Sequence, residues 1–439
     1  MFRLKVPVIV VISIAAVAAI LSYWAGTNFV TPPLSNKWPG VADCNYLVFR
    51  EGAITYAKNC YTGVIDYSGT NSGTVIQNAI MSGAKVFIKQ GEYAISNTIH
   101  LLHGTTLVGE SPSQAVSNGK AGTHLRLANG ANIDMLAYTG MDRAFFITIR
   151  DIFLDGNKSN NSLGSGIYLN KQADDVLIEN IYVDGFAEHG LKFDEAWNYR
   201  LFGNTLEHNR LDGMYVKSGS DLKVIGNKFL TNAQFGVEVG TSSSGVGAFS
   251  FIGNYVQGNA KHGTRLVNVQ RANLEGNTWE INSNGNVGTY NGLQLEDDCS
   301  YTKIVGNQFI GSSVTGAAIA ITHATSNKVI ISANAMDGHT RSPPIYDIGT
   351  ATIIRNNVGY VTENSGRGTI ISGSTSVIIT HGLSYTPAAS DITIIPTNKS
   401  TNDYGNIWIS NVTSTHFTVN VRNDPGPSNL IFSWAVRRV

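Results

Sequence analysis

A short pattern of apolar and polar positions recurs at roughly 25-residue intervals through the middle of the chain. Its centre is an asparagine, with an apolar residue three positions before it and another two positions after it. The asparagines are Asn180, Asn204, Asn227, Asn254, Asn277, Asn307 and Asn334. The first apolar series is Leu177, Leu201, Val224, Phe251, Leu274, Ile304 and Ile331, and the second is Tyr182, Leu206, Phe229, Val256, Trp279, Phe309 and Met336. The pattern predicts a coil of similar turns, here called rungs.

Most of these asparagines directly follow a glycine, as in Val224-Ile-Gly-Asn. Glycine and asparagine tolerate a left-handed backbone, so each rung is expected to contain a sharp corner between two short strands. Rungs stacked at about 4.8 Å would bring the amides into line. We therefore expect the asparagines to form a hydrogen-bonded ladder along the coil.

A second strand pattern follows each corner. It reads Gly190-Leu-Lys-Phe-Asp, Gly213-Met-Tyr-Val-Lys, Gly236-Val-Glu-Val-Gly, Gly263-Thr-Arg-Leu-Val and Gly292-Leu-Gln-Leu-Glu. The alternation of large apolar and polar residues is typical of a strand with one buried face. Strands and tight turns repeated in this way predict a parallel β-solenoid. The uneven spacing places insertions at Lys158 to Ser165 and at Asn282 to Tyr290.

Residues 64–360 resemble the right-handed parallel β-helix proteins of the pectate-lyase and phage-tailspike superfamily. The resemblance is carried by Thr74-Val-Ile-Gln-Asn-Ala-Ile, Val86-Phe-Ile-Lys-Gln-Gly-Glu-Tyr, Thr105-Thr-Leu-Val-Gly-Glu and Ile149-Arg-Asp-Ile-Phe-Leu-Asp-Gly-Asn. It implies a capping helix, whose apolar stripe would be Val75, Ile76, Ala79 and Ile80. It also places Asp151 at the ladder position of its rung.

After about residue 362 the asparagine corners stop and six short alternating strands follow, which predicts a small antiparallel β-sandwich over 363–439. With Thr380-His-Gly-Leu, Thr386-Pro and Phe432-Ser-Trp-Ala, the segment resembles the C-terminal sandwiches of phage-tail and lectin-like proteins. That resemblance implies sugar binding or a homotrimer.

The N-terminus begins with Arg3 and Lys5 and continues as a nearly uncharged apolar stretch from Val6 to about Ala25. A stretch of ~20 residues can cross a bilayer, and the positive end is expected to stay in the cytoplasm. We therefore expect a transmembrane helix within residues 1–27 and an extracellular remainder, with a cleaved signal peptide and secretion as the alternative. Residues 28–82 would be a linker and cap, and 83–362 the coil.

The predicted architecture is thus all-β: a right-handed, pectin-lyase-like parallel β-helix with an N-terminal transmembrane helix and a C-terminal antiparallel β-sandwich. The net charge is zero and 14% of the residues are charged, so no attraction to nucleic acid is expected. Outside the cell, Cys44 and Cys60 are expected to form a disulfide, whereas Cys299 is expected to pack in the coil. Sequons at Asn157, Asn160, Asn398 and Asn411 predict a glycoprotein if the host attaches glycans.

The outward face of the second strand pattern supplies the candidate site. Aligning the rungs on their glycines brings polar and aromatic residues into neighbouring files, and the resemblance places a polysaccharide groove on this face. Hydroxyl partners together with aromatic rings suit sugar recognition. The candidate carbohydrate-binding residues are Tyr168, His189, Lys192, Asp194, Tyr215, Lys217 and Gln294.

A structural interpretation of the same files stays open. Glu238 would face Arg265, Asp194 would face Lys217 and His189 would face Asp212, as cross-strand pairs that stabilise a sheet by ~0.2 to 1 kcal/mol each. Two functions follow. The first is polysaccharide recognition at the cell surface by a membrane-anchored protein, for adhesion or attachment.

The alternative function is a polysaccharide lyase or glycoside hydrolase. Its candidate catalytic residues are Asp212, Glu238, His262 and Arg265. The resemblance to pectate lyases implies a calcium ion held by carboxylates such as Asp212 and Glu238, with Arg265 as the base. No other cofactor is expected.

Overall fold

The computed structural model describes residues 44–113 and 122–437. Most of the chain winds as a parallel coil whose strands stack into three long sheets. The asparagine corner joins the first two sheets, and the predicted glycine-led strand lies in the third. We call them sheets A, B and C in the order in which each rung visits them.

Sheet A has fourteen strands: the second is antiparallel to the first and to the third, and the first pairs in parallel with the fourth. They are Tyr46–Glu51, Ile54–Asn59, Ile65–Gly69, Lys85–Ile88, Thr106–Gly109, Thr148–Arg150, Leu177–Glu179, Arg200–Phe202, Lys223–Ile225, Ser250–Ile252, Asn273–Glu275, Lys303–Val305, Ile330–Ser332 and Ile353–Arg355. Cys44 and Cys60, the pair expected to bridge, are joined in a disulfide at the start of this sheet.

Sheets B and C each have ten parallel strands. Sheet B consists of Gly91–Ile95, Thr123–Leu127, Phe153–Asp155, Tyr182–Asp184, Thr205–Glu207, Lys228–Leu230, Tyr255–Gln257, Thr278–Glu280, Gln308–Ile310 and Ala335–Asp337. Sheet C consists of Ile99–His100, Leu136–Tyr138, Ile167–Leu169, Leu191–Phe193, Met214–Val216, Val237–Val239, Thr264–Val267, Leu293–Glu296, Ile319–Ile321 and Ile345–Asp347. Short strands lie on the return from sheet C to sheet A: Ala144–Phe145, Ala173–Asp174, Ala196–Trp197, Gly219–Ser220, Val246–Gly247 and Val269–Gln270.

The core of the coil is filled by the central residue of each short strand in sheets A and B, and by the residues on either side of the centre in sheet C. In sheet B, Phe229, Trp279 and Phe309 are almost completely buried, and the rings of Trp279 and Phe309 stack with centroids 4.7 Å apart. Burying such a side chain stabilises a fold by roughly 1.5–3 kcal/mol, and the repeat adds this contribution at every rung.

A helix, α1 (Ser72–Ser82), packs on the first strands of the coil as expected. Asn71 caps its N-terminus by accepting a hydrogen bond from the Thr74 amide at 3.2 Å. The predicted apolar stripe of Val75, Ile76, Ala79 and Ile80 is buried in the core. The helix therefore covers apolar surface that the first rung would otherwise leave open.

The asparagine ladder exists, but its register differs from the prediction at its start. Asn204, Asn227, Asn254, Asn277, Asn307 and Asn334 are buried, and each donates from its side chain to the next amide oxygen at 2.9–3.1 Å. The last of them donates to Asn357, which continues the ladder by one rung.

Asn180 does not belong to the ladder, so the alignment of its rung was wrong by one residue. Leu177 pairs with Arg200 and Ile178 with Leu201, which places Ile178 in the core and leaves Leu177 and Tyr182 half-buried. Asn180 has φ of 49°, like Gly203 at 63°, and therefore occupies the left-handed corner. Asp151 (φ 59°) occupies the same corner one rung earlier and accepts a hydrogen bond from Asn180, so its predicted ladder position was wrong as well.

A second ladder lies at the corner between sheets B and C. Asn209, Asn232, Asn259 and Asn282 are buried and linked side chain to side chain at 2.9–3.0 Å. Each follows a member of the first ladder by five residues. Two of the three corners of a rung are therefore fixed by buried amides whose donors and acceptors are paired.

The C-terminal segment forms two three-stranded antiparallel sheets, with all six predicted strands present. Their strands, in sheet order, are Glu363–Ile370, Leu430–Arg437 and Ile392–Pro396 in one, and Ser376–Thr380, His416–Val421 and Ile407–Ser410 in the other. A 3-10 turn spans Ala389–Asp391. The sheets share a core with Phe417, Phe432 and Trp434. The last strand of sheet A ends at Arg355, before the first strand of this module begins at Glu363.

The predicted architecture needs one correction, which concerns the transmembrane helix. In the part of the chain that the structure describes, no helix is both long enough and apolar enough to cross a bilayer. The fold that is observed is all-β apart from the capping helix and one short turn. Residues 1–27, to which the helix was assigned, lie outside the described residues.

Candidate functional site

The outward face of sheet C carries the predicted files of polar and aromatic side chains. Strand pairing aligns Tyr168, Lys192, Tyr215, Glu238, Arg265, Gln294, Ala320 and Tyr346 on successive rungs. Most of the inward neighbours of these residues are apolar and buried, so the alternation fixes which side chains face outward. We call this surface the sheet C groove.

The first rungs of the groove hold an aromatic and charged network. The Tyr168 hydroxyl donates to Asp194 at 2.7 Å, and the Lys192 ammonium lies 5.1 Å from the centre of the Tyr168 ring. Burial, followed by the hydrogen bond to Asp194, raises the pKa of Tyr168 to about 12. The tyrosine is therefore a neutral donor near pH 7.

The predicted pair of Asp194 and Lys217 is not formed. Asp194 is engaged by Tyr168, and Lys217 is exposed without an ion pair among the described residues. Asp194 and Lys217 lie in the same outward file, but the Asp194 carboxylate turns toward Tyr168 on the preceding rung. Lys217 therefore keeps its charge available to a ligand.

His189 and Asp212 come together as predicted, on the loops just before sheet C. The His189 Nδ1 and an Asp212 oxygen are 3.1 Å apart, although the angles do not suit a hydrogen bond and Nδ1 has no other partner. The His189 ring stacks on Tyr215 with centroids 5.1 Å apart. Asp212 is 3% exposed and accepts a hydrogen bond from the Phe235 amide at 3.0 Å. Asp212 thus positions the loop as well as the ring.

Arg265 lies between two carboxylates. One guanidinium nitrogen contacts Glu238 and the other lies 2.5 Å from Glu296, so its fork is occupied on both sides. These carboxylates raise the pKa of Arg265 despite its partial burial. Burial and the nearby Asp212 raise the pKa of Glu238, and the attraction of Arg265 offsets part of that shift. The predicted cross-strand pair of Glu238 and Arg265 is therefore present, and Glu296 joins it as a third member.

His262 sits between Phe235 and Tyr290 and is 8% exposed. Its Nδ1 accepts a hydrogen bond from the Asn291 amide at 2.9 Å, so the neutral ring carries its proton on Nε2. Burial lowers the pKa of His262 to about 4. The residue is a neutral imidazole at pH 7.

The groove opens into a cleft of about 390 Å³ at its C-terminal rungs. We call it the Arg341 cleft. Its lining residues are His262, Gly288, Thr289, Tyr290, Asn291, Gln294, Gly316, Ala317, Ala320, Thr322, Arg341 and Tyr346. Of the predicted site residues it includes only His262 and Gln294.

Loops that join sheet B to sheet C build one wall of this cleft. The predicted insertion at Asn282 to Tyr290 lies at this corner, and later loops stack on it through hydrogen bonds such as Gly316 N to Tyr290 O at 2.7 Å. Gly316 has no room for a side chain, because a Cβ atom there would lie 2.8 Å from the Tyr290 carbonyl oxygen. The other predicted insertion, at Lys158 to Ser165, lies at the same corner of an earlier rung.

One group of described residues brings three metal-binding atoms together, and it lies on sheet B rather than in the groove. The group is Asp184, Glu207 and His208, with ligand atoms within 4.8 Å of one another. The His208 Nδ1 lies 2.9 Å from Asp184, so a hydrogen bond already links the two. Calcium in the groove stays a prediction.

Of the predicted glycan acceptors, Asn157 is 6% exposed and its side-chain amide donates to the Leu127 carbonyl at 2.9 Å. A glycan on this nitrogen would require that the side chain leave its site. Asn160 is exposed, but its amide nitrogen donates to Asn157 at 2.8 Å.

A comparison with protein-family models supports the coiled fold. Residues 116–279 match the family model described as the right handed beta helix region. Among curated protein sequences, none matches the chain.

Several solved structures are similar at low identity. The A-module of the mannuronan C-5 epimerase AlgE4 from Azotobacter vinelandii is 14% identical, with 66% of this chain and 94% of that chain covered and a TM-score of 0.47. The Dettilon tailspike protein is also 14% identical, with 83% and 90% covered and a TM-score of 0.43. Tailspike protein gp49 of the Acinetobacter baumannii bacteriophage Fri1, a capsular polysaccharide depolymerase, is 10% identical, with 82% and 81% covered and a TM-score of 0.40.

The chain is a right-handed parallel β-helix protein with C-terminal antiparallel sheets.

Proposed function

We propose that this protein recognises a polysaccharide along the sheet C groove. The observation that carries the proposal is the unbroken outward file from Tyr168 to Tyr346, which combines aromatic rings with hydrogen-bonding groups and ends in an open cleft. Seven strand spacings of about 4.8 Å give the file a length of roughly 34 Å. A surface of that length suits a polymer better than a single small molecule.

The chemistry of the groove supports a sugar ligand. Tyr168, Tyr215, Tyr290 and Tyr346 are half-buried, so each ring keeps part of its surface for the apolar side of a sugar. Sugar hydroxyls need both donors and acceptors, and the groove offers amides, carboxylates and a neutral imidazole. The cleft volume falls within the ~300–1,000 Å³ that is typical of ligand sites.

A polysaccharide-degrading enzyme is the second candidate, and the geometry favours it less. Arg265 holds Glu238, while Asp212 is occupied by the Phe235 amide and by His189. An acid and a base poised at a sugar linkage need free carboxyl groups at a separation of about 5 to 9.5 Å. The four residues Asp212, Glu238, His262 and Arg265 instead form contacts that stabilise the sheet and its loops.

Affinity electrophoresis of the full chain in gels that contain neutral or acidic polysaccharides tests the proposal. The wild type should be retarded by at least one polymer, and Tyr290→Ala should weaken that binding about tenfold, or ~1.4 kcal/mol. Tyr255→Ala is the matched control, because Tyr255 is a half-buried outward tyrosine on sheet B.

The control variant should bind as the wild type does. Retardation by none of the polymers, or equal losses in the two variants, would contradict binding in the groove. Release of new reducing ends or unsaturated products in the same mixtures would favour the enzyme over a binding protein.

A further inference from the structure

In the lining of the Arg341 cleft, small residues are flanked by large ones. Along the central outward file, Ala320 stands between Gln294 and Tyr346. Ala317 and Gly316 occupy the adjoining loop. The missing side-chain volume on this rung creates a depression with tyrosines at both ends, Tyr290 on one side and Tyr346 on the other.

The neutral polar groups of the cleft are engaged with one another. The Asn291 side chain donates to Gln294 at 2.6 Å and accepts from the Ala317 amide at 2.8 Å. Gln294 in turn donates to the Thr322 hydroxyl at 2.9 Å, and that hydroxyl donates to the Leu295 carbonyl. The network fixes the floor of the cleft before any ligand arrives.

Among the described residues that line the cleft, Arg341 alone is charged at neutral pH. Its guanidinium lies 4.1 Å from the centre of the Tyr346 ring, a stacking arrangement that leaves the N–H groups at its edge free. No carboxylate of the described residues forms an ion pair with it, and the side chain is exposed. In contrast, the two terminal nitrogens of the Arg265 guanidinium form ion pairs with Glu238 and Glu296.

We propose that the Arg341 cleft binds an anionic substituent of the polysaccharide, with Arg341 as the residue that selects it. The planar guanidinium can donate two parallel hydrogen bonds to a carboxylate, sulfate or phosphate. Tyr346 holds the guanidinium, and Tyr290 covers the sugar ring that bears the anion. The inference rests on the proposed function and adds the charge class of the ligand.

A pair of matched polymers tests this inference. The probes are polygalacturonate and alginate, each beside its carboxyl-reduced form, with dextran and dextran sulfate as a second pair. We expect the full chain to bind at least one anionic member more tightly than its neutral partner. Loss of binding on carboxyl reduction would identify a carboxylate, and binding confined to dextran sulfate would identify a sulfate.

Arg341→Ala should weaken binding to the anionic polymer at least tenfold and leave binding to its neutral partner unchanged, whereas Arg341→Lys should restore part of the difference. Arg355→Ala is the matched control, since Arg355 is an exposed arginine on sheet A, and it should have no effect. Both sites are exposed, so the thermal midpoints of the three variants should agree with that of the wild type.

Equal losses in Arg341→Ala and Arg355→Ala would overturn the inference, because they would indicate unspecific attraction. Binding that is confined to neutral polymers and sensitive to Tyr290→Ala would also overturn it, while leaving the proposed function intact. If the protein bound none of the polymers, both this inference and the proposed function would be contradicted.

Discussion

Single residues in the groove differ sharply in how they respond to burial. Burial between two aromatic rings lowers the pKa of His262, so its ring is neutral. Burial raises the pKa of Glu238, and the neighbouring Arg265 offsets part of that shift. Tyr168 and Tyr215 stay protonated for the same reason of burial. At neutral pH the groove therefore presents neutral polar groups beside both paired and unpaired charges.

The low pKa of His262 predicts a loss of stability in acid. The pKa of about 4 in the fold lies below the ~6.5 of an unfolded histidine, so the contribution is present above pH 6.5 and fades as the pH falls toward 4. Between pH 7 and pH 5, the free energy of unfolding should lose about 2 kcal/mol of this contribution. In His262→Asn, the side-chain oxygen can still accept from the Asn291 amide, but the titrating ring is gone.

Urea denaturation at both pH values measures this effect. The variant should be less stable than the wild type at pH 7, and the gap should narrow by about 2 kcal/mol at pH 5. His339, whose pKa burial also lowers to about 4, is present in both proteins and cancels in the comparison. A gap of constant size would show that His262 does not titrate in this range.

At the scale of the element, each rung from Asn204 to Asn334 places a left-handed residue directly before a buried ladder asparagine. The corner residue is usually glycine, but Asn180, Asp151 and Ala333 also occupy it, with φ from 49° to 59°. The ladder asparagine that follows is satisfied on all sides. The Asn254 side chain, for instance, donates to Val224 O and Asn277 Oδ1 and accepts from the Asn227 amide.

Replacement of a ladder asparagine should therefore lower the free energy of unfolding far more than replacement of a corner asparagine. Asn254→Ala removes the side-chain hydrogen bonds to the Val224 carbonyl and to Asn277 and takes away the acceptor of the Asn227 amide inside the core, and a loss of roughly 3 kcal/mol is expected. Asn180→Gly keeps a residue that tolerates the positive φ at an exposed site, and a change within about 0.5 kcal/mol is expected. Chemical denaturation of the two variants measures both quantities, and equal losses would contradict the register of the ladder.

The repeat pattern was enough to predict the rungs and the outward file of sheet C, because periodic burial leaves a periodic sequence, whereas the cap was implied by the family resemblance. The slip at Asn180 arose because Leu177 and Ile178 are both apolar and because asparagine suits both the corner and the ladder. The second ladder does leave a signal, an asparagine five residues after the first, which the alignment had not used. Arg341 could not be predicted, since its position depends on how irregular loops stack after the last regular rungs.

At the scale of the whole molecule, the coil is a rigid support that carries a long groove on one of its three faces. The ladders, the aromatic stack and the cap stabilise the support, while the loops at the corner between sheets B and C shape the groove walls. Charge changes along the groove, from the paired network around Arg265 to the unpaired Arg341. A polymer lying along it would meet different chemistry at each end.

The most direct measurement is a crystal structure of the full chain with an oligosaccharide cut from the polymer that binds most tightly. The sugar chain should lie along sheet C, with one ring against Tyr290 and an anionic group facing Arg341. A sugar chain bound instead to sheet A, to sheet B or to the C-terminal sheets would contradict the account.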